Sequence, residues 1–257
     1  MSLYERIMVM KILESIIEGL RTDYPAEKVL IGRHWTAVVS RSCGLASSMS
    51  QECATHDFEE GNGRALTDFT ALELARRALS DDISEASLGL AAINSLIDVN
   101  MDRCIAIDGA EILMKKGKEK NISIIGHFPF VDDVRKVAAN VWVMEKWQRE
   151  GDHPAEAAEK FLPLSDIVVI SSTTLINHTL EGLLTLCPDH ALKMLLGPTT
   201  PLSDVLFEYG IDFLSGTRVI DPERVLRSIS EGCHFRQLKK RGGVELLTLA
   251  KDQRMFS

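Results

Sequence analysis

The feature that most constrains the fold is a short strand-like run that stops at a glycine in the middle of the chain. Residues 122–125 form this run, and it ends at Gly126. A second strand-like run, 140–145, ends in the carboxylate of Glu145, 19 residues after that glycine. Strand, turn, helix, strand and acidic residue in this order are typical of a nucleotide-binding βαβ unit. The turn lacks a second and third glycine, so the pattern predicts the sheet but not an ordinary dinucleotide site.

The second half of the chain alternates strand-like and helix-like segments. The predicted strands are 122–125, 140–145, 166–170, 192–196, 211–214 and 244–249, and the predicted helices are 108–118, 131–138, 154–160, 173–186, 203–209 and 222–231. Such alternation predicts an α/β fold with a Rossmann-like, mostly parallel sheet and helices on both faces.

The first hundred residues follow a different pattern. The predicted elements are a helix at 4–21, strands at 29–31, 35–39 and 44–49, a helix at 68–79 capped by Thr67, and a helix at 85–97 capped by Ser84. Three strands followed by two helices indicate a smaller α+β unit. The predicted boundary divides the chain into 1–104 and 105–257. The long polar segment 50–66 suits either a binding loop or a plain surface loop.

Composition excludes several classes of function. The 29 Lys and Arg against 37 Asp and Glu give a formal net charge of −8, which argues against nucleic acid or an anionic membrane as the main partner. No apolar run approaches the roughly 18 residues of a membrane span. The acidic residues within 1–20 exclude a secretory signal, and five scattered cysteines suit the reducing cytoplasm. A homodimer is the commonest assembly for such a chain.

In an open α/β sheet, ligands bind at the carboxyl ends of the strands, near the switch in strand order. This rule selects the residues that follow the first five predicted strands of the second half: Gly126, His127, Phe128 and Pro129; Glu145; Ser171, Ser172, Thr173 and Thr174; Gly197, Pro198, Thr199, Thr200 and Pro201; Gly216, Thr217 and Arg218.

The helix predicted after the third of these strands offers the strongest candidate site. Ser172 or Thr173 is expected to cap it, which leaves backbone N–H groups and a positive dipole end for a carboxylate or phosphate. Further polar residues recur at i, i+3, i+4 and i+7 and form one stripe: Thr174, Asn177, His178 and Glu181. An exposed helix face with ordinary capping residues is the alternative interpretation.

Other strand-end residues keep two interpretations each. His127 suits a general base or a ligand, but also a histidine that hydrogen-bonds a loop. Glu145 suits a proton carrier or the acceptor of a ribose hydroxyl, but also a solvated strand-end carboxylate. The segment 197–201 suits ligand contacts or a stiff connector. Arg218 suits a substrate anion or an ion pair with Asp221.

Metal-ligating patterns are weak. The close pairs of soft ligands are Cys53 with His56, Cys187 with His190, and Cys233 with His234. Zinc sites take two such pairs at tight spacing, whereas these three are far apart in the chain. No metal site is predicted from spacing, and a composite site stays open.

Four motifs in order carry a family resemblance: Gly126–Pro129, Ser171–Asn177 with 179–182, Gly197–Leu202 and Gly216–Arg218. With them the chain resembles the family described as "putative heavy-metal chelation", and 89–94 resembles a helix of its usual N-terminal partner domain. The resemblance implies an N-terminal domain shaped like that of enolase, a Rossmann-like C-terminal domain, and a site in the cleft between them. It implies these cleft residues: Asn94, His127, Thr173, Thr174, Asn177, Pro198, Thr199 and Thr200.

Three functional hypotheses follow. The first is an enzyme that condenses or hydrolyses an anionic heterocyclic or metal-chelating metabolite, with Phe128 stacked on a planar ring and His127 or Glu145 moving a proton. The second is a non-catalytic protein that binds a transition metal or a metallophore. The third is a methyltransferase-like site in which Glu145 holds the ribose of S-adenosylmethionine.

Overall fold

The structure is a computed structural model that describes residues 10–49 and 64–256. Its first unit is an antiparallel sheet of order β1-β2-β3, packed against α3. The elements of this unit are α1 (Lys11–Glu18), β1 (Lys28–Ile31), β2 (Trp35–Val39), β3 (Cys43–Ser47), α2 (Ala71–Ala75) and α3 (Ile83–Leu96). This confirms the expected α+β pattern. Residues 1–9 and 50–63, with most of the predicted loop, lie outside the described residues.

Close backbone approach holds α3 against its neighbours. A Cβ on Gly89 would lie 1.9 Å from the backbone nitrogen of Ala78, and one on Gly44 would lie 2.0 Å from the carbonyl oxygen of Ala91. Only glycine permits such contacts between a helix and its neighbouring segments. As a result, most of α3 is buried.

Both predicted caps in this unit are wrong. Thr70, rather than Thr67, caps α2, since its hydroxyl accepts from the backbone N–H of Glu73 at 3.2 Å while the Glu73 carboxylate accepts from the Thr70 N–H at 2.8 Å. Asp82, rather than Ser84, caps α3 and accepts from the Ser84 N–H at 2.8 Å. The reciprocal pair and the stronger carboxylate acceptor satisfy the first N–H groups better than the predicted hydroxyls do.

The second unit is built on a seven-stranded sheet of order β4-β10-β9-β8-β7-β5-β6. Its strands are β4 (Cys104–Ile105), β5 (Asn121–Ile125), β6 (Asn140–Met144), β7 (Ile167–Ser171), β8 (Leu192–Leu196), β9 (Phe213–Val219) and β10 (Val244–Ala250). Five neighbouring strands are parallel to one another: β6, β5, β7, β8 and β9. The strand β10 is antiparallel to both β9 and β4. This confirms the mostly parallel sheet.

Helices cover both faces of this sheet. They are α4 (Gly109–Lys116), α5 (Val131–Arg135), α6 (Ala158–Phe161), α7 (Thr173–Ile176), α8 (Leu180–Leu186), α9 (Val205–Glu208), α10 (Pro222–Ser230) and α11 (Phe235–Arg241). On β7, Val168 and Ile170 join the core shared with α3, whereas Ile167 and Val169 join a second core with α4 and α5. No described helix is both long and apolar enough to cross a membrane.

Several element bounds differ from the predicted ones. The short strand β4 and the helix α11 were not predicted, and β9 extends to Val219. The helix predicted at 173–186 divides into α7 and α8. Between them His178 adopts a φ of +56°, and the Thr179 hydroxyl donates to the Asn177 side-chain oxygen at 2.6 Å. Such local side-chain bonds compete with the helical ladder, and here they interrupt it.

The switch in strand order lies between β5 and β7. The chain runs from β5 outward to β6 and then crosses to β7 on the other side of β5. The loops that follow β5 and β7 therefore diverge, and a crevice opens at their carboxyl ends.

Candidate functional site

A cavity of about 510 Å³ occupies this crevice. Its size is within the range of about 300–1,000 Å³ that is usual for small-molecule sites. Eight residues selected from the sequence line it: Gly126, His127, Phe128, Glu145, Ser171, Thr173, Thr174 and Asn177. Further lining residues that were not selected from the sequence are Met49, Ile125, Met144, Lys146, Trp147, Ala155, Glu156, Thr179 and Leu183.

His127 stands at the end of β5 because the glycine before it turns the chain sharply. Gly126 has a φ of +96°, and a Cβ there would lie 3.0 Å from the Cβ of Ser171. The His127 Nδ1 atom lies 2.9 Å from Oδ2 of Asp152. An ionised carboxylate only accepts hydrogen bonds, so Nδ1 carries the ring proton, and the lone pair of Nε2 is left for a ligand or a proton.

Asp152 is a candidate site residue that was not selected from the sequence. Its side chain is completely buried, and its Oδ2 also accepts from the backbone N–H of Arg149 at 3.0 Å. Its Oδ1 has no hydrogen-bond partner among the residues that the structure describes, and the guanidinium of Arg135 is 3.9 Å away. In the sequence, Asp152 lies between Gly151 and Pro154, which marks a turn but not a contact with His127.

Glu145 joins the loop that follows β6 to the loop that follows β5, and both loops line the cavity. Its Oε2 accepts from the backbone N–H of His127 at 3.0 Å. Its Oε1 accepts from the N–H groups of Lys146 at 2.7 Å and Trp147 at 3.4 Å. Both oxygens thus serve contacts within the protein, and this geometry suits a residue that positions its neighbours better than one that carries a proton.

The predicted anion site at the helix end does not form as expected. The helix α7 has four residues, so its dipole is that of a single turn, and Ser172 makes no capping bond. Ser172 is 1% exposed, and a Cβ on Gly197 would lie 2.7 Å from its hydroxyl. The hydroxyls of Ser171 and Thr173, 2.9 Å apart, still line the cavity.

The predicted polar stripe also disperses, because the helix breaks at Asn177. His178 turns away and its Nε2 lies 2.8 Å from the carbonyl oxygen of Ala78. Glu181 accepts from the first-turn N–H of Ile12 in α1 at 2.7 Å. Burial raises the pKa of Glu181, although that hydrogen bond opposes the shift. Only the part of the stripe before the break, with Asn177, lines the cavity.

The segment after β8 joins the two units and does not line the cavity. Thr199 is fully buried, and its hydroxyl accepts from the backbone N–H of Ser47 at 2.9 Å. Its carbonyl oxygen accepts from the side-chain amide of Asn94 at 3.0 Å. Thr200 is buried too, and no described group hydrogen-bonds its hydroxyl. Thr199 and Asn94 therefore serve contacts between the units, and Pro198, like them, does not line the cavity.

Arg218 lies inside β9 and away from the cavity. Its guanidinium is 3.8 Å from the carboxylate of Glu245 on the adjacent strand β10. The alternative partner, Asp221, instead pairs with Arg224 at 3.2 Å. Arg218 was selected because β9 was expected to end at residue 214, five residues too early.

The described residues do not fit a heavy-metal ion held by protein ligands alone. Among them, no three His, Cys, Asp or Glu side chains lie close enough to hold a metal. Burial raises the pKa of Cys43 to about 12 and that of Cys187 to about 11. These thiols keep their protons near neutral pH, whereas a metal binds the thiolate. The predicted pair of Cys53 and His56 lies outside the described residues.

Comparisons with known proteins agree with this fold. A family model described as "putative heavy-metal chelation" (DUF364) matches residues 108–248, and a second model with the same description (DUF4213) matches 13–97. An uncharacterized protein of Methanocaldococcus jannaschii is 30% identical over 194 residues, which cover 72% of this chain and 73% of that protein.

Two crystal structures of DUF364 proteins with unknown function are similar to this chain. The protein from Desulfitobacterium hafniense has a TM-score of 0.84 and 27% identity, over 95% of this chain and 99% of its own. The protein from Pyrococcus horikoshii has a TM-score of 0.77 and 22% identity, with the same coverage of both chains, and shows the shared fold.

Proposed function

This chain belongs to the family described as "putative heavy-metal chelation", and on that premise we propose that it is an enzyme for an anionic heterocyclic or metal-chelating metabolite, with His127 as proton acceptor. The observation that carries the proposal is the 2.9 Å contact between His127 and the buried Asp152 at the wall of the cavity. A histidine oriented by a buried carboxylate is the arrangement that general-base catalysis needs.

The other polar groups of the cavity have complementary roles. Asp152 holds Nδ1–H of His127, so Nε2 takes a proton from the substrate or from water, and the carboxylate stabilises the imidazolium that forms. The Asn177 side-chain oxygen accepts from Thr179, which leaves its NH₂ group to donate to a negative oxygen of the substrate. The side chain of Lys146 attracts an anionic group at the same wall. These steps suit condensation or hydrolysis.

The second candidate is a binding protein for a metal chelate. Histidines that ligate metal ions commonly donate the N–H of the other ring nitrogen to a carboxylate, and this hydrogen bond fixes the ligating tautomer. The described residues supply one such imidazole. In this alternative, the small molecule that enters the cavity provides the remaining ligands.

The test is to identify which metabolite the protein changes. Wild type and the variants His127→Ala, Asp152→Asn and His190→Ala are incubated with a cell metabolite extract, and the products are followed by mass spectrometry. His190 is exposed and lies outside the cavity, so it is the matched control. We expect wild type and His190→Ala to consume the same metabolite, and His127→Ala to slow its consumption by about 10²–10⁴-fold. Turnover by His127→Ala at the wild-type rate would refute the role of His127.

A further inference from the structure

Trp147 is a large aromatic side chain that the fold leaves in solvent at the rim of the cavity. It is 84% exposed, on the loop that follows β6. Trp35, by contrast, is 7% exposed, and Trp142 stacks on Phe161 with ring centroids 5.0 Å apart. Leaving an indole in water forgoes the stabilisation that its burial would bring. Its position at the cavity therefore suggests that a ligand covers it.

The backbone at Trp147 is held in place by the same carboxylate that holds the proton acceptor. Glu145 accepts from the N–H of Trp147 at 3.4 Å through one oxygen and from the N–H of His127 at 3.0 Å through the other. The indole and the imidazole thus stand on two loops that one side chain ties together. A ligand ring resting on Trp147 would lie next to the reacting group.

Phe128, expected from the sequence to stack on the ligand, already has a partner. Its ring stacks on that of Phe130, with centroids 5.0 Å apart and planes inclined by 15°. One face of Phe128 is therefore covered within the protein. Apolar side chains also line the cavity, among them Ile125, Met144 and Leu183. An apolar lining with a few polar groups suits a flat ring whose substituents are polar.

We propose that Trp147 is the stacking surface of this site and that its ligands carry a planar aromatic or heteroaromatic ring. This inference rests on the proposed function in one respect: both concern the same cavity. The neighbouring Lys146, which lines the cavity, selects ligands with an acidic group on that ring. Trp147 thus determines specificity, while His127 carries out the chemistry.

The experiment compares two monoanions of similar size, 2-naphthoate and decahydro-2-naphthoate, by calorimetry at pH 7.5. The saturated acid is the more apolar, so simple hydrophobic binding would favour it. Stacking on Trp147 reverses this order, and we expect 2-naphthoate to bind about tenfold more tightly. Trp147→Ala should lower the affinity for 2-naphthoate by about five- to tenfold, whereas Trp147→Phe keeps it within about threefold.

Tryptophan fluorescence supplies a second readout. After correction for the absorption and emission of the ligand itself, the saturable quenching of tryptophan emission by 2-naphthoate should fall sharply in Trp147→Phe, because Trp35 and Trp142 are packed within the protein, although calorimetry still detects binding. Because Trp147 is exposed, its variants should unfold at the wild-type urea concentration. The proposal is overturned if 2-naphthoate shows no saturable binding, if the two acids bind equally, or if Trp147→Ala binds as wild type does.

His127→Ala separates this inference from the proposed function. It should still prefer 2-naphthoate to the saturated acid, because the stacking surface is intact. Full metabolite turnover by His127→Ala, with stacking as expected, would remove the catalytic role and leave the ligand class. Loss of turnover in His127→Ala, together with equal binding of the two acids by wild type, would keep the catalytic role and remove the ligand class.

Discussion

At the scale of single residues, the carboxylate of Glu145 connects the groups on which the site depends. It accepts from backbone N–H groups on both flanking loops, one of them that of His127. The sequence reasoning selected Glu145 for its place at a strand end, but it could not show that both oxygens face backbone donors. Asp152 and Trp147 were not selected for a related reason. Asp152 acts through its contact with His127, and Trp147 through its place in the cavity lining, and both depend on how distant segments pack together.

We expect Glu145→Ala to lower kcat/KM by about 10²-fold, because the loss of three backbone contacts lets His127 and Trp147 move. Glu145→Gln should recover part of this loss, since its amide oxygen keeps one acceptor. The measurement is the pH–rate profile of the metabolite turnover. If Glu145 only positions its neighbours, both of its variants should keep the limb of the pH–rate profile that His127→Ala removes. A profile without that limb in Glu145→Ala would instead make Glu145 the proton carrier.

At the scale of elements, hydrophobic periodicity predicted the strands well and the helices less well. Most strands of both sheets lie within a few residues of their predicted bounds, because a buried strand is a short apolar run that stands out locally. The helix predicted at 173–186 failed at Asn177, where side-chain bonds and the positive φ of His178 break the ladder. This break is what separates the cavity residues from the rest of the stripe.

Two glycines in helices provide a matched test of packing in the first and second units. Gly89 in α3 touches the backbone of Ala78, so Gly89→Ala should lower the free energy of unfolding by at least about 1–3 kcal/mol. Gly182 in α8 has no atom within 4 Å of an added Cβ, so Gly182→Ala should raise it by about 0.5–1 kcal/mol. Urea denaturation measures both. Equal effects of the two substitutions would contradict the close contact at Gly89.

At the scale of the whole molecule, one hydrophobic core runs from α3 of the first unit to β7 of the second. Hydrogen bonds of Thr199 with Ser47 and Asn94 reinforce this junction. The threonine and the asparagine were expected in a ligand cleft, but they bind the units to each other. The division of the chain at residues 104 and 105 stays a prediction, although the two family matches cover 13–97 and 108–248.

The two buried thiols allow a prediction about metal content. Burial raises the pKa of Cys43 to about 12 and that of Cys187 to about 11, so both keep their protons near neutral pH, whereas a metal binds the thiolate. Elemental analysis of wild type and of the double variant Cys43→Ser/Cys187→Ser, both purified without chelator, should therefore give the same transition-metal content. A stoichiometric metal that the double variant loses would assign chelation to these thiols.

The sequence by itself determined the alternation of strands and helices, the mostly parallel sheet and the strand ends among which the cavity residues are found. These follow from local hydrophobic periodicity and from the rule that parallel strands present their carboxyl ends at one edge. Only the tertiary structure decided which strand ends share the cavity, that Asp152 contacts the His127 ring, and that Thr199 is buried between the units. These depend on the order of strands in the sheet and on contacts between residues far apart in the chain, and such contacts leave no periodic trace in the sequence.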